Sequence, residues 1–225
     1  MTGFDPSLVI MSINKVEDSY VELMQALYTD MQTKFVEGMS NCWACNLAQR
    51  FFANTVKPNA DELLTGSFDR FRSVVETMNE AASKWAERTL TEWAPVSFKG
   101  ELKNISVDAI KENINGERGI KESEANTVAQ ELPKIAASAE QALIAAENAV
   151  HGCGFVGRDQ EEQLVRSLGQ IRANISEFVT SVNNVAKNAI QQTIDAYGSL
   201  ATNVSEAFAG SESGVAGSNG GHYTM

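Results

Sequence analysis

Ser40-Asn41-Cys42-Trp43-Ala44-Cys45-Asn46-Leu47 interrupts two long helical patterns, and its reading decides the fold. Upstream, Ile13, Val16, Tyr20, Leu23, Leu27, Met31 and Phe35 recur every three or four residues, which places them on one helix face. Asp5-Pro6 opens that helix with an acidic cap and a proline at the first helical position. Gly38, Ser40 and Asn41 close it, so a first helix is expected over residues 6–39. Downstream, Leu47, Ala48, Phe51 and Phe52 begin a second pattern. Pro58 interrupts it before Asn59-Ala60-Asp61-Glu62, which resembles a capping box, so a kink or a restart is expected there. Leu64, Phe68, Phe71, Val75, Met78, Ala82 and Trp85 then step 4-3-4-3-4-3, the spacing of a coiled-coil seam. Two long helices around a tight turn make a helical hairpin.

The plan then recurs. Val128, Leu132, Ile135, Ala139, Ala142, Ala146 and Val150 mark a third helix, in which Pro133 signals a kink or a first turn. His151-Gly152-Cys153-Gly154-Phe155-Val156-Gly157 breaks it. Asp159-Gln160-Glu161-Glu162 restarts it. Leu164, Leu168, Ile171, Ile175, Phe178, Val182, Val185 and Ala189 follow in steps of four and three, and the pattern continues through Tyr197, Val204 and Phe208. The expected organisation is a first hairpin over 1–94, a connection over 95–122, a second hairpin over 123–209 and a flexible Gly/Ser-rich tail over 210–225. Within the connection, a short helix is expected from Ser106 to Ile114, closed by Asn115-Gly116; Val96–Leu102 is the one weak strand candidate. The fold class is all-α. Each hairpin alone leaves an apolar face open, and two can cover each other as an elongated four-helix bundle.

The bulk properties exclude several functions. The 225 residues carry 18 Lys and Arg against 29 Asp and Glu, a formal charge of −11. Nucleic acid and anionic lipid both select basic surface, so neither is an expected partner. No apolar run approaches the ~20 residues of a membrane span. Leu8-Val9-Ile10-Met11 is short and follows Asp5 rather than a basic residue, so it does not read as a Sec signal. The expectation is synthesis in the cytoplasm, with any export by a route that needs no such signal. No phosphate-binding loop, dinucleotide fingerprint, nucleophile elbow or His-Glu-x-x-His pattern occurs, and with two histidines acid–base catalysis has few candidates. The chain reads as a protein that binds proteins through helical faces, and not as an enzyme.

The first half resembles the Trp-Xaa-Gly (WXG, ESAT-like) family of small secreted helical hairpins. Trp43-Ala44-Cys45 stands at the hairpin tip, with Leu47, Ala48, Phe51 and Phe52 at the spacing the family uses after its tryptophan. The second half looks like a diverged copy, with Phe155 where the tryptophan would stand and Gly157 where the glycine would stand. The resemblance spans most of residues 6–208. It departs at Cys45, which occupies the place of the motif's glycine, and at Tyr197, which is followed four residues on by Ala201 rather than an acid. It implies partner binding, with Trp43, Phe155 and Gly157 as tip residues, and a substrate, partner or adaptor of a type VII-like secretion system. Family hairpins pair as dimers, so a tandem copy would be a dimer fused into one chain. A self-assembling particle or phage component built from long helices is the other reading, and a homo-oligomer fits either.

The tips also hold every cysteine. Cys42-x-x-Cys45 is a usual half of a structural zinc site, and His151 and Cys153 would complete a Cys3His set. A short connection puts both tips at one end of an up-down-up-down bundle, where one zinc ion would clip them together. A connection that runs back along the bundle puts them at opposite ends. Buried free thiols, or a disulfide from Cys42 or Cys45 to Cys153, are the competing readings.

Overall fold

The computed structural model describes the backbone of residues 4–115 and 118–215, and side chains as far as Tyr197. Asp5 starts the first helix as its sequence predicts: its carboxylate accepts the Ser7 N–H at 2.9 Å, and Pro6 fills the first helical position. Helix α1, Pro6–Met24, buries Val9, Ile13, Val16, Tyr20 and Leu23. The rod then continues as a π-helix over Gln25–Val36 and as α2 over Glu37–Ser40. Spacing explains the change. After Leu23 the apolar residues come in fours, at Leu27, Met31 and Phe35, with Ala26 and Val36 buried beside them. The wider i→i+5 winding keeps all five inward, where 3.6 residues per turn would rotate them out. Gln25 reaches Asp30, five residues on, at 3.2 Å.

The first tip is the two-residue strand β1, Trp43–Ala44. Helix α3, Asn46–Phe51, leads through a π stretch, Phe52–Val56, into α4, Lys57–Thr89. Pro58 therefore breaks nothing. It lies in the first turn of α4, and the expected interruption takes the form of the π stretch directly before it. After the connection come β2, Gly119–Ile120, then α5, Glu122–Ala129, α6, Glu131–His151, and α7, Arg158–Val215. Pro133 occupies the first turn of α6. The backbone of α7 stays helical past Gly210, where a flexible tail was expected, and residues beyond Val215, with His222 and Tyr223, lie outside the described part. No helix among the described residues is long and apolar enough to cross a membrane.

Two seam residues turn outward. Trp85 and Val185 fall on the 4-3 pattern yet are 40% and 39% exposed, while their neighbours Ala86 and Ala186 are buried. A straight helix drifts about 20° per heptad relative to a 3.5-residue repeat, so the buried stripe moves one residue on near the helix ends. Helix α1 packs against α4 and α6, and α7 packs against the same two helices. The alanines of α6 allow close approach: Ala139, Ala142 and Ala146 are fully or almost fully buried. One continuous core runs through all four.

The connection corrects two expectations. Neither a helix over Ser106–Ile114 nor a strand over Val96–Leu102 forms. Instead the chain runs extended, and side chains of the first hairpin hold its backbone. Asn79 exchanges two bonds with Val96, each 2.8 Å. Glu17 accepts the Lys99 N–H at 2.9 Å, and the Tyr20 hydroxyl donates to the Glu101 carbonyl at 2.7 Å. Asp61 accepts the Ile105 N–H at 3.0 Å, Lys57 donates to the Ile105 carbonyl at 2.8 Å, and Gln32 accepts the Ser106 N–H at 2.9 Å. Gln49 donates to the Ile110 carbonyl at 3.4 Å. The partners move up α1 and back down the numbering of α4, so the connection climbs from the end of α4 to the first tip. There β2 pairs antiparallel with β1, Trp43 opposite Ile120 and Ala44 opposite Gly119.

Such a full-length return reverses the second hairpin. Helix α6 starts beside the first tip, where Val128 just before it touches Gly38, and ends beside the start of α1, where Cys153 and Phe155 share a hollow with Phe4, Asp5 and Leu8. The two tips are at opposite poles. The arrangement with both at one end is overturned, because 95–122 spans the rod instead of turning at its foot.

Phe98 anchors this strap between Tyr20 and Phe68, with ring centroids 5.1 Å from Tyr20 and 5.6 Å from Phe68, and Tyr20 in turn packs on Phe71 at 5.3 Å. Gly100 lets it lie close: a Cβ there would sit 2.3 Å from Phe98 Cζ and 2.6 Å from Tyr20 Cε1. Gly100→Ala is expected to lower unfolding stability by about 1–3 kcal/mol, the usual cost of overpacking, read by urea denaturation. An unchanged midpoint would show that the strap is not seated on these rings.

Candidate functional site

The first tip is built around Trp43. The turn hands the chain from α2 to α3 through two residues of strand, so the indole points inward and is fully buried. Its ring stacks on Phe51 at 5.7 Å and meets Phe52 edge-on at 6.4 Å. Burial demands a partner for Nε1, and Thr193 of α7 supplies one: the indole N–H donates to Oγ1 at 3.2 Å, and the hydroxyl donates onward to the Ala189 carbonyl at 2.8 Å. Thr193 was not foreseen. The signal was a threonine four residues after Ala189, on a stripe otherwise apolar. Nor was the β1–β2 ladder.

Cys45 takes the role of a helix cap. Its sulfur accepts the Ala48 N–H at 3.4 Å and lies 4.0 Å from Thr193 Oγ1, and its carbonyl accepts the Gln49 N–H at 3.1 Å. Cys42 is turned the other way, with its thiol directed at the Gly38 and Met39 carbonyls at 3.5 and 3.6 Å. Its own carbonyl accepts the Lys121 N–H at 2.8 Å. Burial, with the Glu124 carboxylate adding to it and Lys121 opposing, pushes the Cys42 thiol up to about 11. It is a poor nucleophile in the folded protein.

The second tip repeats the first in outline. Phe155 is two residues before the residue that precedes the returning helix, as Trp43 is, and it is buried. Gly157 matches Cys45: its carbonyl accepts the Glu161 N–H at 2.9 Å, four residues on. The Trp85 indole donates to the Phe155 carbonyl at 2.7 Å, so each tip is tied by an indole N–H. Gly154 carries a φ of 68°, which a residue with a side chain would resist. His151 is half exposed, and its Nδ1 lies 2.5 Å from Glu161 Oε1.

The four expected zinc ligands do not meet. Cys42 and Cys45 lie at the pole where Trp43 touches Thr193, and His151 and Cys153 lie at the other. The stretch of α7 from Arg158 to Thr193 puts roughly 50 Å between them at 1.5 Å per residue. Among the described residues no group of three or more His, Cys, Asp or Glu side chains is placed to hold a metal ion. The same distance rules out a disulfide from Cys153 to either partner, and all three are free thiols. The expected set depended on the parity of the connection, and among the described residues this fold does not bring it together.

Both tips are packing centres, with Trp43, Cys42 and Cys45 buried at one and Cys153, Phe155 and Val156 at the other. No family model, curated protein or solved structure matches this chain.

Thr193→Val keeps the shape of the side chain and removes the acceptor for the Trp43 N–H. It is expected to cost about 1–3 kcal/mol, the penalty of an unpaired buried donor, in chemical unfolding; no loss would mean that the indole finds water there. The Cys42 thiol titrates higher folded than unfolded, so its contribution is complete below the unfolded value and is lost as pH rises toward about 11. Stability measured between pH 9 and 10 should fall in the parent chain and fall less in Cys42→Ala. Equal slopes would contradict the burial of that thiol.

Proposed function

We propose that the chain is a non-enzymatic interaction protein of tandem WXG type, an elongated four-helix bundle made of two hairpins in one polypeptide. It works as a substrate, partner or adaptor of a type VII-like secretion system. The observation that carries this reading is the correspondence of the tips. Trp43 and Phe155, both buried aromatic residues, each stand two residues ahead of the residue that precedes the returning helix, Cys45 and Gly157. The contact set supports the bundle, since α1 and α7 each pack against both α4 and α6. Each hairpin covers the apolar face of the other, so the pair needs no second polypeptide to fold. What remains for a partner is the outer surface of the rod.

Export distinguishes this reading from that of a particle component. In the producing cell, the chain, or a protein that co-purifies with it, is expected in the culture supernatant when the secretion apparatus is intact and only inside the cell when it is disabled. The same distribution in both strains would overturn the assignment.

A further inference from the structure

Helix α7 outlasts the bundle. It reaches the first tip at Thr193, which holds the Trp43 indole, and Tyr197 packs against the core one turn later. The other elements at this pole turn back: α2 hands over to α3 through β1, and β2 to α5. The backbone of α7 continues as one helix to Val215. Residues 198–215 add roughly 27 Å to it at 1.5 Å per residue, past the pole.

The buried stripe of α7 continues with it. Ala186, Ile190 and Thr193 are buried. At 3.6 residues per turn, Tyr197, Leu200, Ala201, Val204, Phe208 and Val215 fall on the same side of the helix, within an arc of about 100°, and Glu206 falls opposite. Inside the bundle α4 and α6 pack against α7, and both lie behind the turns of the first tip. This stretch has little helical stability of its own. Gly198, Gly210 and Gly214 each cost about 1 kcal/mol relative to alanine. Helices of this length owe most of their stability to a covered apolar face.

We propose that the projecting end of α7 is a self-association element, which pairs antiparallel with the same end of a second copy about a two-fold axis level with Glu206. The seam α7 uses within the bundle then continues into the second molecule. The register is self-complementary, as a two-fold interface requires. Tyr197 of each copy is level with Val215 of the other, and Val204 with Phe208, so the two apolar faces coincide from end to end. Charge points to an identical partner. A different helix is selected through charges beside the seam. The flanking positions here are Gly198, Ser205, Ala207 and Gly214, with Glu212 the one charge. Two-fold pairing sets Glu212 between Gly198 and Ala201 of the other copy, away from any like charge. The chain as a whole carries −11, which opposes side-by-side association. Antiparallel pairing leaves the two acidic bodies at opposite ends of a helix pair roughly 27 Å long. That exceeds the screening length of about 10 Å at 0.1 M salt. This element does not depend on the export reading.

Sedimentation equilibrium of the full chain from about 1 to 100 µM tests it, because self-association appears as a mass that rises with concentration. The mass is expected to rise from 24.4 kDa toward twice that value. Helical circular dichroism per residue is expected to rise with it, as the projecting helix gains its cover. Val204→Glu and, separately, Phe208→Glu each weaken association by about tenfold or more, since a carboxylate then lies in the seam. Neither lowers the melting temperature of the bundle, whose core they do not enter. A parent chain that stays at 24.4 kDa throughout overturns the proposal, as it would if the face served a different protein. Association that neither substitution weakens overturns it, since the interface would lie elsewhere. A lower melting temperature in either variant overturns it as well, since the face would then be packed on its own bundle.

Discussion

The structure depends on the path of one extended segment. Twenty-odd residues after α4 carry almost no regular structure, so their backbone groups need partners from outside. The first hairpin supplies them from helix side chains: Asn79, Asp61 and Lys57 of α4, Glu17 and Tyr20 of α1, and Gln32 of the π stretch. Each bond is modest, on the order of 1 kcal/mol net. Together they fix a direction. The chain must return to the first tip before the second hairpin can begin, and the second hairpin must then run opposite to the first.

That reversal decides what the cysteines can do. Cys42 and Cys45 become buried parts of a tip built around Trp43, one with its thiol raised by burial and one serving as a cap. Cys153 becomes part of the other pole. A tryptophan at each pole then donates to the element that arrives there: Trp43 to Thr193 of α7, and Trp85 to the backbone of the second tip. The poles are equivalent in kind, since each joins one hairpin's tip to the far end of the other hairpin.

Much of the helical layout was legible because periodicity and capping are local. Asp5-Pro6, Pro133 and the glycines from 152 to 157 mark boundaries that the coordinates reproduce, and Leu164 to Val182 is buried in the order the spacing predicts. Leu27, Met31 and Phe35 were identified as core, but their fourfold spacing was not recognised as π winding. Trp85 and Val185 were placed one residue wrong, since a seam of heptads drifts on a straight helix. The direction of the connection was out of reach. It is set by polar residues such as Asn79 and Gln32 whose partners are backbone groups, and backbone groups leave no trace in sequence. The buried hydroxyl of Thr193 was missed for a related reason: its partner is 150 positions away.

The central claim is the separation of the tips, and a distance measurement tests it most directly. Nitroxides at the exposed positions Asn46 and Arg158, in a chain with Cys42→Ala, Cys45→Ser and Cys153→Ala, report that distance by dipolar spectroscopy. Opposed tips predict a single population centred on the order of 50 Å, the length of helix between them. A dominant population under about 25 Å, far short of that helix at 1.5 Å per residue, would place both tips at one pole and contradict the fold described here.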